Sequence, residues 1–486
     1  MFDDQNDLPY PSVPLGSLTS GLPDNFAVGP PSASDSSTVD FSTGASHDNV
    51  SSGPTPKSER QHWNAGSNDF LPPEPKSMEE AKIGSGEVEE LILKYLHSRG
   101  AATGRQITDQ ILLPPPLIRE SLDGLKDGLF VTYKASAGMG DFVYQLTDAG
   151  IERAFRSAKR CTYFGAAPVA FEDYVESVHR QSLTQSLTKF QPKIVDLCQA
   201  FSDLTLSAEM ISQLAQAITA GRGLFLYGSP GNGKTSIAEC ITRAFGQKIW
   251  IPRTLSVTGE MIRLYDPSNH DIVPMEEFEG LRYDRRWVCI RRPTIVVGGE
   301  LTLEQLDIRF NPATGINEAP IHLKSNCGIL VIDDFGRQRV SSTELLNRWI
   351  VPLDKHCDFL NLLSGRQLEV PFEQMLVLST NLEPRDLVDE AFLRRIPYKI
   401  SVPDPTEEQF CQLFCDLSQP MGLRYDESAV EYLLQKHYRG EGRPMRFCHV
   451  RDLLLQVRNL CKSHECEMEI SEANFDIAVK NYFAVM

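Results

Sequence analysis

The sequence predicts an α/β fold in which a parallel sheet lies between helices, with helices alone after it and a small α+β domain before it. Three apolar runs predict this class. Leu224–Tyr227 precedes a glycine-rich loop and a helical segment, a second run ends at Asp333, and a third spans Met375–Asn381. Short apolar runs that end in polar residues and alternate with helical segments are typical of buried parallel strands.

The chain begins with a segment that cannot form such a core. Residues 1–78 are rich in Ser, Pro, Gly and Asp and hold ten acidic and three basic residues. Too little apolar surface is available there to offset the entropy of ordering, so we predict a disordered tail. Its aromatic residues Phe26, Phe41 and Trp63 either dock on a partner or are simply exposed.

Residues 79–160 are expected to form a domain of their own. A capping box of Thr103 and Gln106 begins the second of three helices. The strands Leu129–Lys134 and Phe142–Leu146 follow, joined by a glycine-rich turn. Three helices followed by two strands are similar to the winged-helix fold, which implies binding either to DNA or to a protein.

The charges of the third predicted helix bear on that choice. Arg119 and Lys126 lie among Glu120, Asp123 and Asp127, which makes a poor surface for phosphates. We therefore expect a protein partner and keep DNA as the alternative.

The residues from Gly228 to Thr235 match the motif G-x-x-x-x-G-K-[ST]. Glycines let backbone N–H groups converge on phosphate oxygens, and the N-terminus of the next helix adds the positive end of its dipole. Lys234 is expected to neutralise the phosphates of a nucleoside triphosphate, and the Thr235 hydroxyl to bind Mg²⁺. The residues assigned to nucleotide binding are Gly228, Ser229, Pro230, Gly231, Asn232, Gly233, Lys234, Thr235 and Ser236.

Two carboxylates end the second apolar run. Asp333 is placed to hold Mg²⁺ through water, and Asp334 to orient or deprotonate an attacking water. Carboxylates at the end of a buried strand, downstream of a phosphate-binding loop, predict hydrolysis of the nucleotide.

Taken in order, these motifs resemble the AAA+ ATPase family over about residues 190–486. Lys234 and Thr235 match Walker A, and Asp333 and Asp334 match Walker B. Asn381, at the end of the third run, matches the sensor-1 residue at the γ-phosphate. The resemblance implies that the nucleotide is ATP, that Mg²⁺ is the cofactor and that Asp334 and Asn381 are catalytic.

The family resemblance also implies roles for arginines. Arg394 and Arg395, just before a fourth predicted strand, match the arginine finger that reaches the nucleotide of a neighbouring subunit. Either of the two could be the finger. In the helical region that follows, Arg451 looks like the sensor-2 arginine that binds nucleotide, with Arg446 as its rival.

Walker B departs from the common family pattern. Most members end this strand in Asp-Glu, whereas here the second acid is Asp334, one methylene shorter. Similar Asp-Asp endings occur in the replication-initiator and helicase-loader branch. The resemblance therefore still implies hydrolysis, at a rate that the pattern leaves open.

Two further segments enlarge the expected core. Residues 254–322 predict a β-rich insertion that carries arginines and Trp287. It is either a loop that contacts substrate or nucleic acid, or an element of a subunit interface whose arginines pair with acidic neighbours. Phe359–Val370 predicts a β-hairpin that resembles the presensor hairpin of MoxR-type remodelling ATPases.

Composition points to a cytoplasmic protein. The 486 residues include 48 basic and 65 acidic ones, and the net charge of −17 argues against broad binding to nucleic acid or anionic membranes. Eleven cysteines without a C-x-x-C pair fit reduced thiols, and Cys461–Cys466 reads as a helix end rather than a metal site. No apolar run is long enough for a transmembrane helix, and no signal peptide is expected.

These predictions combine into one architecture: a disordered tail (1–78), a winged-helix-like domain (79–160), a linker (161–190), an α/β core (191–404) and a helical lid (405–486). The resemblance is to bacterial stand-alone AAA+ ATPases. It implies a homo-oligomer, expected to be a hexameric ring, and the remodelling or chaperoning of a protein complex. A DNA-directed motor, loader or regulator is one alternative. An ATP-gated assembly switch with little turnover is the other. Membrane insertion is not expected.

Overall fold

The computed structural model describes residues 70–138, 140–183, 194–245 and 248–484. Residues 1–69 of the predicted tail lie outside the described residues. The stretch from Phe70 onward differs from the prediction, because the Phe70 ring packs 5.3 Å from Trp287 and the Asp284 N–H donates to the Pro72 carbonyl at 3.0 Å. The predicted boundary at residue 78 is therefore too far along the chain.

The described residues form helices and strands with the following bounds. The helices are α1 (Ser85–Arg99), α2 (Gly104–Ile111), α3 (Pro115–Asp127), α4 (Asp148–Arg160), α5 (Phe171–Gln181), α6 (Ile194–Ala200), α7 (Ala208–Ala220), α8 (Lys234–Ile241), α9 (Ile321–Lys324), α10 (Ser342–Lys355), α11 (Pro384–Leu387), α12 (Glu390–Leu393), α13 (Glu407–Ser418), α14 (Glu427–Leu433), α15 (Phe447–His464) and α16 (Glu472–Tyr482). The strands are β1 (Ala101–Thr103), β2 (Val131–Gly138), β3 (Asp141–Leu146), β4 (Val169–Ala170), β5 (Leu224–Tyr227), β6 (Lys248–Pro252), β7 (Thr254–Val257), β8 (Glu260–Arg263), β9 (Trp287–Arg291), β10 (Thr294–Val297), β11 (Arg309–Asn311), β12 (Ile316–Glu318), β13 (Ile329–Ile332), β14 (Cys357–Asn361), β15 (Gln367–Pro371), β16 (Met375–Thr380) and β17 (Tyr398–Ser401).

The N-terminal domain consists of α1 to α4 and an antiparallel sheet of order β1-β3-β2. The capping box of Thr103 and Gln106 is present at α2. The Thr147 hydroxyl caps α4 by accepting the Gly150 N–H at 3.1 Å. Two strand predictions need correction, because β1 was not predicted and β2 continues through Gly138 into the expected glycine-rich turn.

The core is a five-stranded parallel sheet of order β10-β13-β16-β5-β17. Its three central strands, β13, β16 and β5, are almost wholly buried, and apolar clusters lie on both faces. One cluster includes α7 and α8, and the other includes α10. All five strands run in the same direction, so their carboxyl ends meet at one edge of the sheet. Both predicted Walker segments and the predicted sensor-1 segment end at that edge.

A second five-stranded sheet has the order β11-β12-β8-β7-β4, and β6 pairs with β9 beside it. The predicted insertion 254–322 therefore has the wrong bounds, since these pairs begin at Lys248 and β10 belongs to the core sheet. The expected linker 161–190 is wrong as well. It contributes β4 to this sheet, and Phe171 and Tyr174 of α5 lie in its apolar core.

A buried arginine fastens this second sheet to the N-terminal region. Arg286 is 2% exposed and binds the Asp284 carboxylate with both Nε and Nη2. Its Nη1 donates to the carbonyls of Ala81 and Pro168 at 3.0 Å each. Arg286 therefore pairs with an acidic neighbour, as the interface alternative expects, and these partners all lie in its own chain.

The helical lid follows the core sheet. α13 to α16, with a π-helical turn at Leu434–Arg439, enclose a separate apolar cluster. At the end of α15, Glu465 takes φ 53° and the Cys466 N–H donates to the Cys461 carbonyl at 3.1 Å, the pattern of a Schellman helix end. Before the lid, β14 and β15 form the predicted hairpin. Within the described ranges, no helix combines the length and apolarity needed to cross a membrane.

Candidate functional site

The glycine-rich loop at residues 228–233, between β5 and α8, packs closely against two other elements. It is the predicted phosphate-binding loop. Gly228 has φ 141°, and a Cβ there would overlap the Val402 carbonyl oxygen just after β17. Gly231 has φ 82°, and a Cβ there would overlap the Cys448 thiol in α15. Only glycine combines this backbone with such close neighbours. The loop therefore contacts both the end of the core sheet and the lid.

Lys234 lies buried at the first position of α8. Its Nζ donates to the carbonyls of Gly228 and Ser229 at 3.0 Å each and to Asn381 Oδ1 at 2.7 Å. Burial lowers the pKa of Lys234 below its usual range, although Asp333 and Asp334 act in the opposite direction. The structure thus brings together the predicted Walker A lysine and the predicted sensor-1 residue.

Asp333 receives hydrogen bonds from residues of both neighbouring elements. Thr235 Oγ1 donates to its Oδ2 at 2.8 Å, and Ser379 Oγ of β16 donates to its Oδ1 at 2.7 Å. Hydroxyl and carboxylate oxygens are the hard ligands that Mg²⁺ prefers. Thr235 and Asp333, the predicted metal ligands, are therefore adjacent and of suitable chemistry for this cation.

Asp334 projects from an unusual backbone. Its φ is 49°, in the left-handed region. Its Oδ1 accepts a hydrogen bond from Asn381 Nδ2 at 3.1 Å. Asn381 therefore bridges Lys234 and Asp334, and the three side chains stand in a row along the carboxyl edge of β5, β16 and β13.

The lid contributes an arginine to this region. Arg446, the N-cap residue of α15, forms an ion pair with Asp404 and is close enough to lower the pKa of Lys234 further. The Cys448 N–H donates to the Gly231 carbonyl at 2.9 Å. Arg451, the sensor-2 residue chosen from the sequence, is exposed one turn further along α15. The correction is that Arg446 adjoins the phosphate-binding loop and Arg451 does not.

The two candidate finger arginines make different contacts. Arg395 binds the Asp354 carboxylate through Nε at 2.9 and 3.0 Å and through Nη2 at 2.9 Å. Arg394 is 78% exposed, and its recorded ion pair, with Glu390, is 3.8 Å long. Their recorded contacts within the described residues do not include the loop or the Walker B carboxylates. Arg394 is thus the one available to another molecule.

A cavity of about 140 Å³ opens beside the phosphate-binding loop. Apolar side chains form most of its wall, and it lies between the segment before α7, the end of β17 and the lid. Its lining includes Leu204, Leu206, Met210, Ile237, Val402 and Leu413. An apolar cavity next to a phosphate-binding loop suits a flat heterocyclic base.

Sequence reasoning missed three contributors to this region. Ser379 belonged to the polar end of the third apolar run, so its spacing offered a signal. Asp404 and the cavity residues offered none, because their role depends on how the lid folds back onto the loop. Asn232 was assigned to nucleotide binding as a loop residue. Its Nδ2 donates to the Pro403 carbonyl at 3.2 Å and to Asp404 Oδ1 at 2.7 Å.

A family model described as a domain of unknown function, DUF8689, matches residues 406–481. This range coincides with the helical lid, from α13 to α16. It covers a small part of the chain and carries no assigned activity. No curated protein shows a significant sequence match.

Solved structures give weak likenesses. RuvB from Thermotoga maritima, described as a Holliday junction branch migration motor, is 14% identical with a TM-score of 0.34, over 58% of this chain and 70% of that one. NtrX from Brucella abortus in complex with ADP is 14% identical with a TM-score of 0.36, over 67% of this chain and 65% of that one. Its complex with ATP gives 14% and 0.36, over 60% of both chains. Identities and TM-scores this low do not assign a family or a role to the chain.

The order of the strands in the core sheet places the predicted motifs close together. Strand order β10-β13-β16-β5-β17 places the predicted Walker A loop after the strand next to the edge and the predicted Walker B carboxylates two strands away. Asn381, the predicted sensor-1 residue, directly follows the strand between them. A helical lid then returns an arginine to the phosphate-binding loop. This sheet order, with the glycine-rich loop, the two carboxylates and the asparagine at its carboxyl edge, is that of an α/β P-loop core.

Proposed function

We propose that the protein binds ATP with Mg²⁺, hydrolyses it, and uses the cycle to remodel or chaperone a protein complex. One observation carries the nucleotide part. Lys234, Asn381 and Asp334 are joined by hydrogen bonds across three neighbouring strands, and Thr235 and Asp333 are joined beside them. This set offers a cation for phosphates, oxygen ligands for a metal and a carboxylate for water.

Each residue then has a separate task in an in-line attack of water on the γ-phosphate. Asp334 and Asn381 orient the water, and Lys234 stabilises the charge that grows on the phosphate oxygens as the bond to the β-phosphate breaks. Thr235 and Asp333 would hold Mg²⁺, which supplies further positive charge at the phosphates. The adenine base would occupy the 140 Å³ cavity beside the loop.

A protein partner fits the N-terminal domain better than DNA does. The exposed face of α3 carries Arg119 and Lys126 beside Glu120, Asp123 and Asp127, and the whole chain has a net charge of −17. A duplex would meet no net positive surface on this helix, and phosphate contacts dominate DNA affinity. The proposed substrate is therefore a protein complex in the cytoplasm, where free cysteines stay reduced.

The first test measures nucleotide binding and turnover. Lys234→Ala should abolish measurable ATP binding by calorimetry, because the triphosphate loses its main buried counter-charge. The variant Lys399→Ala is a matched control, since that lysine donates to the Leu393 carbonyl instead of lying in the loop. Near-wild-type ATP affinity in Lys234→Ala would contradict the phosphate cradle.

The second test separates protein remodelling from a DNA motor. Turnover should be insensitive to duplex and single-stranded DNA at physiological salt. A pull-down with Asp334→Asn, which should bind ATP without hydrolysing it, should retain a protein partner that Lys234→Ala does not retain. Strong stimulation by DNA would favour the motor instead.

An ATP-gated switch with little turnover is the second candidate. The observation that favours it is Asp334, whose carboxylate is one methylene shorter than that of Glu and is already hydrogen-bonded to Asn381. ATP-dependent assembly without measurable release of phosphate would support the switch over the remodelling enzyme.

A further inference from the structure

Asp404 lies where three parts of the site meet. It follows β17 by a short segment, and the lid begins at Glu407 soon after it. Its Oδ1 accepts a hydrogen bond from Asn232 of the phosphate-binding loop at 2.7 Å and also contacts the guanidinium of Arg446 at the start of α15. One carboxylate therefore joins the core sheet, the loop and the lid.

The Asp404 carboxylate is expected to carry its charge at neutral pH. Burial acts to raise the pKa of Asp404, but its contacts with Asn232 and Arg446 outweigh this effect and the pKa is lowered. A negative charge thus stands beside the loop that is built to receive phosphates, and the nearest cation of the lid is paired with it.

Arg446 meets this carboxylate through one nitrogen. Its side chain is 19% exposed, and among the described residues the pair between its Nη1 and Asp404 is its one ion pair. A guanidinium has five N–H donors in a planar fork, so a second anionic acceptor would compete with Asp404 for it. An anionic ligand in the loop offers such an acceptor.

We propose that Asp404 is a positioning residue that restrains Arg446 and thereby lowers the affinity of the site for nucleotide. This inference rests on the proposed function. Two effects act in the same direction: the carboxylate repels phosphates directly, and it neutralises the lid cation that would attract them. Nucleotide has to displace Arg446 from Asp404, so closure of the lid is coupled to occupation of the loop.

Asp404→Asn tests the restraint with little change in shape. The amide oxygen can still accept from Asn232, while the negative charge is lost. The affinity for ATP and for ADP, measured by calorimetry on the full chain, should rise about tenfold, in the range of ordinary coupling between sites. Damage to the fold would lower affinity, so a gain has no merely structural explanation.

Three companion variants make the result specific. Asp404→Glu keeps the charge and should bind nucleotide as the wild type does. Glu408→Gln removes one exposed charge from the first turn of α13 and should leave the affinity within about twofold. In an Arg446→Ala background, Asp404→Asn should raise the affinity by much less than tenfold, because only the direct repulsion remains to be removed.

The outcomes distinguish the restraint from the function on which it rests. If the wild type binds no nucleotide, the proposed function and the restraint both fail. If the wild type binds and Asp404→Asn has equal or lower affinity, the restraint alone is wrong. An equal gain in Glu408→Gln would show a general charge effect and would also overturn it.

Discussion

The two carboxylates predicted to form Walker B, Asp333 and Asp334, have different surroundings and should therefore have different roles. Asp333 accepts from the hydroxyls of Thr235 and Ser379, so it is held in the position where a metal ligand is expected. Asp334 contacts the amide of Asn381 and has no hydroxyl partner among the described contacts. One carboxylate is thus oriented from both sides, and the other faces the space beside Lys234 and Asn381.

Substitution of each carboxylate should separate these roles. Asp334→Asn should retain ATP binding and lower turnover by about 100-fold or more, because the water loses its orienting carboxylate. Asp333→Asn should weaken Mg²⁺-dependent ATP binding itself. Calorimetry with and without Mg²⁺, together with phosphate release, measures both effects. Wild-type turnover in Asp334→Asn would mean that another residue places the water.

The lid arginines allow a second comparison of single residues. Arg446→Ala should weaken nucleotide binding about tenfold or more, since Arg446 adjoins the phosphate-binding loop. Arg451→Ala removes an exposed charge from the same helix and should change the affinity by less than about twofold. If Arg451→Ala has the larger effect, the sequence-based choice was correct and the lid must rearrange on binding.

At the scale of elements, the close packing of Gly150 determines the position of α4 in the N-terminal domain. Gly150 lies in the first turn of α4, and a Cβ there would overlap the Phe130 carbonyl oxygen. The same turn is capped by Thr147, whose hydroxyl also donates to the Leu129 carbonyl at 2.7 Å. The cap and the close contact together therefore fix where α4 begins.

Gly150→Ala should destabilise the N-terminal domain by about 1–3 kcal/mol, because α4 has to move away from Phe130. Gly86→Ala is the matched control. It lies in the first turn of α1 with no atom within 4 Å of a new Cβ, so the substitution should be neutral or slightly stabilising. Hydrogen exchange across α1 and α4 measures the difference. Equal protection in both variants would contradict the packing argument.

The sequence predicted elements well where one local signal was sufficient. The capping box of α2, the hairpin of β14 and β15 and the strands next to the predicted Walker motifs were found because capping residues, turn residues and apolar runs mark them. β1 and β4 were missed because three and two residues are too few to show an alternating pattern. The choice between Arg446 and Arg451 depended on where α15 begins relative to the loop, which is a tertiary property.

At the scale of the whole molecule, Arg286 joins parts that the sequence separates. Its partners Asp284, Ala81 and Pro168 come from the β-rich region, the start of the N-terminal region and the segment once expected to be a linker. Each of its three nitrogens donates a hydrogen bond, to the paired carboxylate or to a carbonyl. These contacts tie the N-terminal domain to the second sheet.

Arg286→Ala should loosen that attachment strongly. It leaves Asp284, which is 3% exposed, without its counter-charge, at a cost of about 3–5 kcal/mol in the free energy of unfolding of this region. Arg285→Ala breaks an exposed pair with Asp109 and should cost at most about 1 kcal/mol. Limited proteolysis between residues 160 and 170 reports the change. Equal resistance in the two variants would show that other contacts hold the domain.

Activity should require neighbouring subunits, because Arg394 is 78% exposed and, among the described residues, its ion pair is with Glu390 and not with Asp333 or Asp334. An arginine finger supplied by a neighbour contributes on the order of 10³–10⁵ in rate. Turnover per subunit should therefore rise with protein concentration. Mixing Lys234→Ala with Arg394→Ala subunits should restore part of the turnover.

The turnover of Arg395→Ala should be closer to that of the wild type, since Asp354 already binds the Arg395 side chain. A mixture without recovery would mean that Arg394 acts within its own chain or not at all.

The left-handed backbone at Asp334 limits how this site can change over evolutionary time. Short polar residues such as Asp and Asn tolerate φ near 50° better than longer ones do. Replacing Asp334 with the Glu that most AAA+ ATPases carry would therefore lengthen the carboxylate and strain the main chain together. The length of the acid and the shape of this turn are therefore linked, and a longer carboxylate fits here only if the turn itself is rebuilt.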